Sequence, residues 1–571
     1  MADTKREIER TFEFTPADGD RAAPGDPARL PDLTRVPGVA EVVDRGVVDL
    51  DAVYYDTPDL RLDADSLTLR RRTGGADAGW HLKFPVAAGS RDEIRAPLSD
   101  DLPPELAALV RSRVRDAQLT PVVRLLSSRA VRHLQAEDGT LLAELSIDTV
   151  VAEGLRAGSS STAWTEIEVE LADGIDDEGI LDEIGALLAE AGIQPSPSPS
   201  KVARALRDTA PPTPRGRTGP AQHAEQSEDT SLAKDTTLAQ DTPRAQGTAG
   251  AHDTPRAHDT PRAHDTPLAD DTAGAHVLRH LRAQRDAVVG LDPAVRRELP
   301  DAVHRMRVAA RRLRSALASY AKVIDRNVTD PVRDELKWLA GELGAERDGE
   351  VLAERLATHC AELPPTLLLG PARARLRIRV EADHAASRRR TLTALDSARH
   401  LTLLDTLDAL LADPPLLPAA AKPAAHVLPK AVLKEYDRLA ERVRTALALA
   451  PGPERDVALH TARKAAKRAR YAAQAAAPAL GKPAGKYAKK FAKRLKAVQN
   501  ALGDHQDSVV ARDALRALAA QAHAAGEPAF TWGLLYGREE ATAARREREL
   551  PEVWARASRA GLRRRLRATA T

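Results

Sequence analysis

The stretch HRMRVAARRLR, His304 to Arg314, carries His304, Arg307, Arg311 and Arg314 at i, i+3, i+7 and i+10. In a helix that spacing gathers all four on one face. The same word returns as HTARKAAKRAR, His460 to Arg470, with His460, Arg463, Lys467 and Arg470 in the same four slots. A solvated charged face normally mixes signs, and neither segment contains an acid. Two such stripes need an anionic partner, and an extended polyanion is the obvious one. Arginines snorkelling from an Ala-rich helix would explain one stripe but not its repetition.

The repeat continues beyond the stripes. ELKWLAGELGAERDGEVL supplies Leu336, Lys337, Leu343, Gly344 and Asp348; RLKAVQNALGDHQDSVVA supplies Leu495, Lys496, Leu502, Gly503 and Asp507. The offset is 156 residues for the stripes (460 minus 304) and 159 for these segments (496 minus 337). Two copies of a helical unit related by pseudo-twofold symmetry follow. Ala, Leu and Arg-rich segments broken by Pro or Gly predict helices throughout this half, including separate ones at 329–344 and 346–361, and at 483–502 and 504–524. KPAGKYAKKFAKRLK, residues 482–496, has seven basic residues and no acid, and extends the cationic strip.

The N-terminal part reads differently. From Arg6 to about Val169 short runs alternate with period two, predicting a β-rich domain. In REIERTFEF, Glu7, Glu9 and Thr11 oppose Ile8 and Phe12; in LTLRRR, Arg70 and Arg72 oppose Leu69. In WHLKF, His81 and Lys83 oppose Trp80 and Leu82, and in RDEIR, Arg91, Glu93 and Arg95 share a face. ELSID and EIEVEL set Glu144 and Asp148, and Glu166, Glu168 and Glu170, against Leu145, Ile147, Ile167 and Val169. One such run is a half-buried strand with a wet side. Six in succession, all charged on the polar face, predict strands closed into a barrel with the charges inward. Clustered carboxylates would then hold a hard divalent cation, and Arg and Lys would hold phosphate oxygens. The apolar outside needs cover, which residues 103–116 and 176–191 would supply as helices.

The totals bound the rest. At 571 residues the chain fits two or three domains, and a net charge of +2 makes the stripes local concentrations, so the partner is bound at a site and not coated. A single cysteine, Cys360, fits a reducing compartment. The N-terminus has no apolar signal-like run and no later stretch suits a membrane span, so a cytosolic protein without membrane attachment is expected. Aromatics are only 3% and none interleave the stripes, which disfavours nucleic acid as the partner. Residues 210–275 turn to Thr, Asp, Pro, Ala and His, with the hexad AHDTPR repeated, and read as a disordered linker.

In order, EIERTF, VYYDTPDLRL, LTLRRR, WHLKF, PVVRLLSSR, AELSIDTV, WTEIEVEL and PSKVARAL resemble the CYTH, or triphosphate tunnel metalloenzyme, family over about residues 1–208. The resemblance implies an antiparallel eight-stranded β tunnel that binds a divalent metal, Mg2+ or Mn2+, and a triphosphate, hydrolysing its terminal phosphate or, in some members, cyclising ATP. Glu7 and Glu9 match the first two members of the family's E-x-E-x-K signature; Glu166 and Glu168 match its late acidic strand, and Asp148 the acid before it. These five would be the metal ligands. Arg70, Arg72, Lys83 and Lys201 match phosphate-contacting positions, and Arg124 and Arg129 both fall near another. Those two are five apart, so a bulge is needed if both point inward. Glu7, Glu9, Lys83, Arg70 and Arg72 are the implied catalytic group. The signature lysine is replaced by Thr11.

Residues 273–571 resemble the CHAD, or conserved-histidine α-helical, family, because both copies carry the histidine-led stripe. That implies two four-helix-type bundles, about 273–420 and 421–571, facing each other across a basic groove or pore that binds inorganic polyphosphate. His304, Arg307, Arg311, Arg314 and Lys337 would line it from the first copy. His460, Arg463, Lys467, Arg470, Lys489, Lys493 and Lys496 would line it from the second. The expected organisation is therefore a multidomain α+β chain: tunnel at 1–208, linker at 209–272, all-α domain at 273–571. The expected activity is metal-dependent triphosphate hydrolysis with polyphosphate capture, in the cytoplasm and at polyphosphate granules. Non-catalytic polyphosphate binding, nucleotide cyclisation and thiamine triphosphate hydrolysis stay open beside it.

Overall fold

The computed structural model describes residues 3–14, 30–87, 89–175, 177–211 and 268–568. Most of the expected linker lies outside the described residues. Eight antiparallel strands form the first part: β1 (Asp3–Phe14), β2 (Glu41–Asp56), β3 (Thr68–Thr73), β4 (Gly79–Ala87), β5 (Ser90–Pro97), β6 (Thr120–Gln135), β7 (Leu141–Gly154) and β8 (Ser161–Leu171). Their order is β5-β4-β3-β2-β6-β7-β8-β1, and β1 pairs back onto β5, so the sheet closes into a tunnel. A short ninth strand, β9 (Ile193–Pro195), pairs with the far end of β1.

The tunnel is a barrel turned inside out. The charged alternation faces in and most of the apolar alternation faces out, so two cores form outside the wall and a third closes one end of the interior. Helix α1 (Arg61–Ala64) is a single turn. Helix α2 (Pro104–Val114) covers Leu69, Trp80, Leu82 and Ile94 with Leu106, Leu109 and Val110. Helix α3 (Gly179–Glu190) covers Phe12, Leu145 and Ile167 with Leu181, Ile184 and Leu188. Helix α4 (Lys201–Asp208) instead fills one end of the tunnel, setting Val202, Ala205 and Leu206 on Val123, Val150 and Trp164, which share the inward face of Arg129, Asp148 and Glu166. Each buried Leu or Ile contributes about 1.5–3 kcal/mol, which offsets the cost of enclosing charge on the other face.

Ten helices follow among the described residues: α5 (Ala273–Arg296), α6 (Ala302–Ser319), α7 (Arg326–Ala361), α8 (Ala372–Asp396) and α9 (Ala398–Ala412), then α10 (Ala424–Ala448), α11 (Pro453–Ala476), α12 (Ala484–Ala524), α13 (Phe530–Ala557) and α14 (Ala560–Ala568). The two repeats are present with five helices each. Their inner faces merge into one core, built from Met306, Leu313, Leu336 and Leu343 of one copy and Leu459, Ala466, Leu495 and Leu502 of the other. A smaller core, with Leu356, Leu376, Leu515 and Trp532, joins the outer ends of α7 and α12 to α8 and α13.

The helices expected at 329–344 and 346–361 are one, α7, and those at 483–502 and 504–524 are one, α12. Gly344 and Gly503 look like breaks in the sequence; both are helical, and their missing side chains admit an arginine. A Cβ on Gly344 would lie 3.0 Å from Arg307 Nη2, and one on Gly503 would lie 3.5 Å from Arg463 Nη2. The glycines serve close approach, not termination.

The first copy rests on the tunnel wall. Ser112 Oγ of α2 donates to the Val289 carbonyl at 3.2 Å, Arg115 reaches Asp408 of α9 at 2.8 Å, and Arg297 reaches Asp92 of β5 at 3.0 Å.

Candidate functional sites: a charged tunnel and a basic groove

Register decides what meets inside the tunnel. Lys83 of β4 lies opposite Glu93 of β5, Glu7 of β1 opposite Arg91, and Arg129 of β6 opposite Asp148 of β7. These are favourable cross-strand pairs. Asp148 and Glu166, and Glu9 and Glu170, are also directly opposed, and like charges in that position destabilise a sheet unless a cation joins them.

On one wall, Lys83 Nζ sits 2.6 Å from Glu7 and 3.8 Å from Glu93, while His81 Nδ1 lies 2.9 Å from Glu93. Arg70 approaches Glu93 at 3.5 Å, Arg95 also pairs with Glu93, and Arg91 approaches Glu9 at 3.7 Å. Burial, reinforced by Glu93, Glu170 and Glu9, outweighs Lys83 and raises the Glu7 pKa to about 7. Burial lowers His81 to about 4, leaving it neutral, and lowers Arg72 to about 9 with help from Arg70 and Arg129.

On the facing wall, Asp148, Glu166 and Glu168 offer oxygens that all lie within 4.8 Å of one another. Arg129 grips Asp148 at 2.8 and 2.7 Å and reaches Glu168 at 2.9 Å. Trp164 Nε1 donates to Glu166 at 2.7 Å. The central cation is Lys201 Nζ, which contacts Asp148, Glu168 at 2.6 Å and Glu166 at 3.1 Å. Ser200 caps α4 by accepting from Ala203 N, which sets Lys201 as the first helical residue, projecting into the tunnel. Burial would raise the carboxyl of Glu168, but Lys201 and Arg129 outweigh it and hold it low.

The structure therefore brings Glu7, Glu9, Arg70, Arg72, Lys83, Arg129, Glu168 and Lys201 to one cavity of about 420 Å³, with Asp148 and Glu166 buried behind it. The five expected metal ligands form two groups: Asp148, Glu166 and Glu168 cluster, while Glu7 and Glu9 are drawn to Lys83 and Arg91. Arg124 is not in the cavity. It binds Asp51 at 3.0 and 2.7 Å on the outer side, because β6 runs against β7 without a bulge from Val123 to Leu134 and an odd spacing puts Arg124 and Arg129 on opposite faces. Thr11 lines the cavity opposite Glu168. Glu93, His81 and Lys5 also belong to this site; the period-two alternation already carried Glu93 and His81, but nothing local marked them above their neighbours.

The second cavity, of about 1120 Å³, lies between the copies. His304, Arg307, Arg311, Arg314 and Lys337 line it from the first copy, and His460, Arg463, Lys467 and Arg470 from the second. The pseudo-symmetry extends to the carboxylates. Arg307 is held by Asp348 at 2.8 and 3.0 Å and Arg463 by Asp507 at 3.4 Å. Arg311, Arg314, Lys467 and Arg470 have no carboxylate partner among the described residues. Burial, then the charges of Arg311, Arg463 and Arg307, lowers Lys467 to about 6. Both histidines are lowered too, by burial first and then by Arg347 for His304 and Lys464 for His460. Arg333, Arg347, Arg438, Arg442, Lys464 and Arg468 join the lining, and nothing in the sequence alone singles them out.

Lys489, Lys493 and Lys496 are exposed and outside this lining, which corrects their expected place. Ala484, Ala488, Phe491, Leu495 and Val498 turn one face of α12 into the core, and the lysines occupy the opposite face. The two cavities differ in charge balance. Thirteen Lys or Arg and three Asp line the groove, against eight Lys or Arg and seven Asp or Glu in the tunnel. The groove is complementary to an anion alone; the tunnel is complementary to an anion together with a cation.

Residues 30–206 match the CYTH domain and residues 279–516 the CHAD domain. Uncharacterized proteins from two strains of Mycobacterium tuberculosis are each 35% identical over 538 residues, covering 92% of this chain and 92% of the relative. Among solved structures, PptA from Streptomyces chartreusis aligns with 24% identity over 50% of this chain and 99% of that one, with a TM-score of 0.41. The CHAD domain from the plant Ricinus communis aligns with 27% identity over 52% and 97%, with a TM-score of 0.37. With a closed charged tunnel followed by a histidine-striped helical repeat, and relatives that share both halves, the chain belongs to the family that joins a CYTH domain to a CHAD domain.

Proposed function

We propose that the tunnel hydrolyses the terminal phosphoanhydride of an inorganic or organic triphosphate with a divalent cation, Mg2+ or Mn2+, and that the helical groove binds inorganic polyphosphate. The observation that carries the reading is one cavity with Glu168 on one wall, Asp148 and Glu166 buried behind it, and Arg70, Arg72, Lys83, Arg91 and Arg95 on the other.

The donor set fits a hard cation: three carboxylates, no sulfur, oxygens within 4.8 Å of one another. Asp148, Glu166 and Glu168 would hold it, and when bound it neutralises charge on the phosphate oxygens. Lys201 and Arg129, which now satisfy that trio, then become available to phosphate. Arg70, Arg72 and Lys83 orient the triphosphate and stabilise the charge that develops as the anhydride P–O bond breaks. Water supplies the new P–O bond, and its proton goes to a carboxylate. Glu7, with a pKa of about 7, has the proton affinity for that step at neutral pH.

Phosphate release from tripolyphosphate with added Mg2+ or Mn2+, compared between wild type and Asp148→Asn, tests the reading; equal release from both would overturn it. A second reading is favoured by Thr11 at the third signature position: the tunnel binds triphosphate without turning it over. Binding of tripolyphosphate with no release under any metal would select it. A panel with ATP and thiamine triphosphate separates the cyclase and thiamine triphosphatase alternatives.

The groove reading rests on its charge. A flexible chain of phosphates is matched by Arg311, Arg314, Lys467 and Arg470, which have no carboxylate partner among the described residues, and the lining holds a single aromatic ring, Tyr471, in place of a row of stacking platforms. Arg307→Ala with Arg463→Ala weakens binding on this account; an unchanged salt titration would count against it.

A further inference from the structure

The two copies are alike in the groove and opposite in charge beside it. With the 159-residue offset, Asn327, Asp330 and Asp334 of α7 correspond to Lys486, Lys489 and Lys493 of α12, and Glu335 corresponds to Arg494. Lys337 corresponds to Lys496 (496 minus 337). No Asp or Glu occurs anywhere from Val457 to Gly503, whereas the equivalent stretch of the first copy holds several. The lysines of α12 are exposed and have no carboxylate partner among the described residues.

The strip starts at the groove. Asp334 and Lys337 line the cavity in the first copy, whereas their counterparts Lys493 and Lys496 are exposed just beyond the lining, at its rim. Gln499, one turn further along α12, lines the cavity itself. From Lys496 back to Lys486 the helix runs about 15 Å away from that rim, at about 1.5 Å per residue. Helix α14 packs on the other flank of α12, where the Arg565 guanidinium lies 4.7 Å above the Tyr487 ring and Arg564 and Arg567 are exposed. In the first copy the fifth helix, α9, instead offers Asp405 and Asp408, which bind Arg115 of the tunnel domain.

We infer that the groove has one charge-paired and one basic mouth, and that a polyphosphate chain longer than the groove leaves it by the second copy and continues along the Lys486–Lys496 face of α12. This rests on the polyphosphate reading of the groove and adds to it a direction and a dependence on chain length. Charge complementarity commits the face to polyphosphate: it is continuous with the anion groove and exposes no row of aromatic rings on which bases could stack. At the other mouth the corresponding acids are paired, Asp330 with Arg326 and Arg333 and Glu335 with Arg399, so no cationic strip continues the groove there.

The test replaces Lys486→Asn, Lys489→Asp and Lys493→Asp, which gives the second copy the residues of the first. Binding of tripolyphosphate, long-chain polyphosphate and single-stranded DNA of matched charge is measured on the full chain against salt. For long-chain polyphosphate the expected loss is about tenfold or more, with a salt slope smaller by about 2–3, at roughly 0.7–0.9 for each phosphate no longer neutralised. Tripolyphosphate affinity changes less than about twofold, because the groove is intact. An equal loss for both lengths, or none for the long chain, overturns the inference. So does single-stranded DNA that binds the wild type as tightly as long-chain polyphosphate and loses as much. A wild-type chain that binds neither polyphosphate length overturns the groove reading itself, which is a separate result. A melting temperature within about 2 °C of wild type shows that the triple variant is folded.

Discussion

Lys467→Met should make the free protein more stable while weakening its hold on polyphosphate. Lys467 lies in the groove among Arg311, Arg463 and Arg307, with burial the main cause of a pKa lowered from 10.5 to about 6. The unfolded chain therefore binds more protons than the folded one between pH 6 and 10.5, so this residue makes stability rise with pH across that window. At pH 7 the folded protein keeps Lys467 neutral. At about 1.4 kcal/mol per pKa unit the cost could reach about 5 kcal/mol. Rim water and counter-ions screen much of that, leaving an expected gain of about 1–2 kcal/mol on removing the amine. For a domain of this size that is a rise of roughly 2–8 °C in melting temperature. Bound polyphosphate restores the proton, so wild-type binding takes up protons near pH 7 and tightens as pH falls toward 6. Titration calorimetry in two buffers of different ionisation enthalpy reads that uptake directly, and thermal melts at pH 6.5 and 8.5 read the stability. If the variant melts below wild type at pH 7, or if wild-type binding moves no protons, the account of the groove as a set of unneutralised cations is wrong.

Arg311→Gln removes a groove cation that has no carboxylate partner, and should lower the salt slope of polyphosphate binding by about 0.7–0.9 without destabilising the fold. Arg307→Gln should cost more affinity in the same titration, because it also leaves the Asp348 carboxylate, now gripped at 2.8 and 3.0 Å, facing the ligand. In the tunnel, Glu7 ionises near pH 7, so metal-dependent phosphate release should rise with pH through that value in wild type and lose that limb in Glu7→Gln. Lys201→Met removes the ammonium from among Asp148, Glu166 and Glu168. Breaking a buried ion network of this kind costs about 3–5 kcal/mol. Mn2+ should then raise the melting temperature of the variant by more than it raises that of wild type, and an equal rise would argue against this trio as the metal seat.

The strands were legible because a charged inner face and an apolar outer face both obey period two, and burial of either face fixes the register. What the pattern could not give was the angular arrangement of strands around the tunnel. The resemblance groups Glu7 and Glu9 with Asp148, Glu166 and Glu168 as metal ligands; in the structure, closure through β1 and β5 sets Lys83 and Arg91 beside the first pair. Arg124 was misplaced for want of a local signal that β6 is unbulged there. In the helical half the stripes found the groove, since four slots on one helix face are set by sequence alone. Arg438 and Arg442 of α10 were missed because their helix has no repeated word to mark them. Lys489, Lys493 and Lys496 were misplaced because a run of lysines shows charge density but not which way the apolar residues between them turn the helix.

The two cavities represent opposite solutions to the same physical problem. In the tunnel most charges have an opposite charge within 4.0 Å, so a ligand must exchange one set of ion pairs for another. The carboxylate trio can give up Lys201 only to a comparable positive charge, which is why the proposed function pairs the triphosphate with a cation. In the groove the like charges are left facing each other, and the free protein carries the cost: Lys467 gives up its proton, and Arg311 and Arg314 are depressed by burial and by neighbouring guanidinium groups. That cost is recovered when an anion enters, so the repulsion that weakens the empty fold becomes part of the binding energy. Asp348 and Asp507 mark where the tension is relieved, each fixing the first arginine of its stripe beside a helical glycine and leaving the later positions free for the ligand.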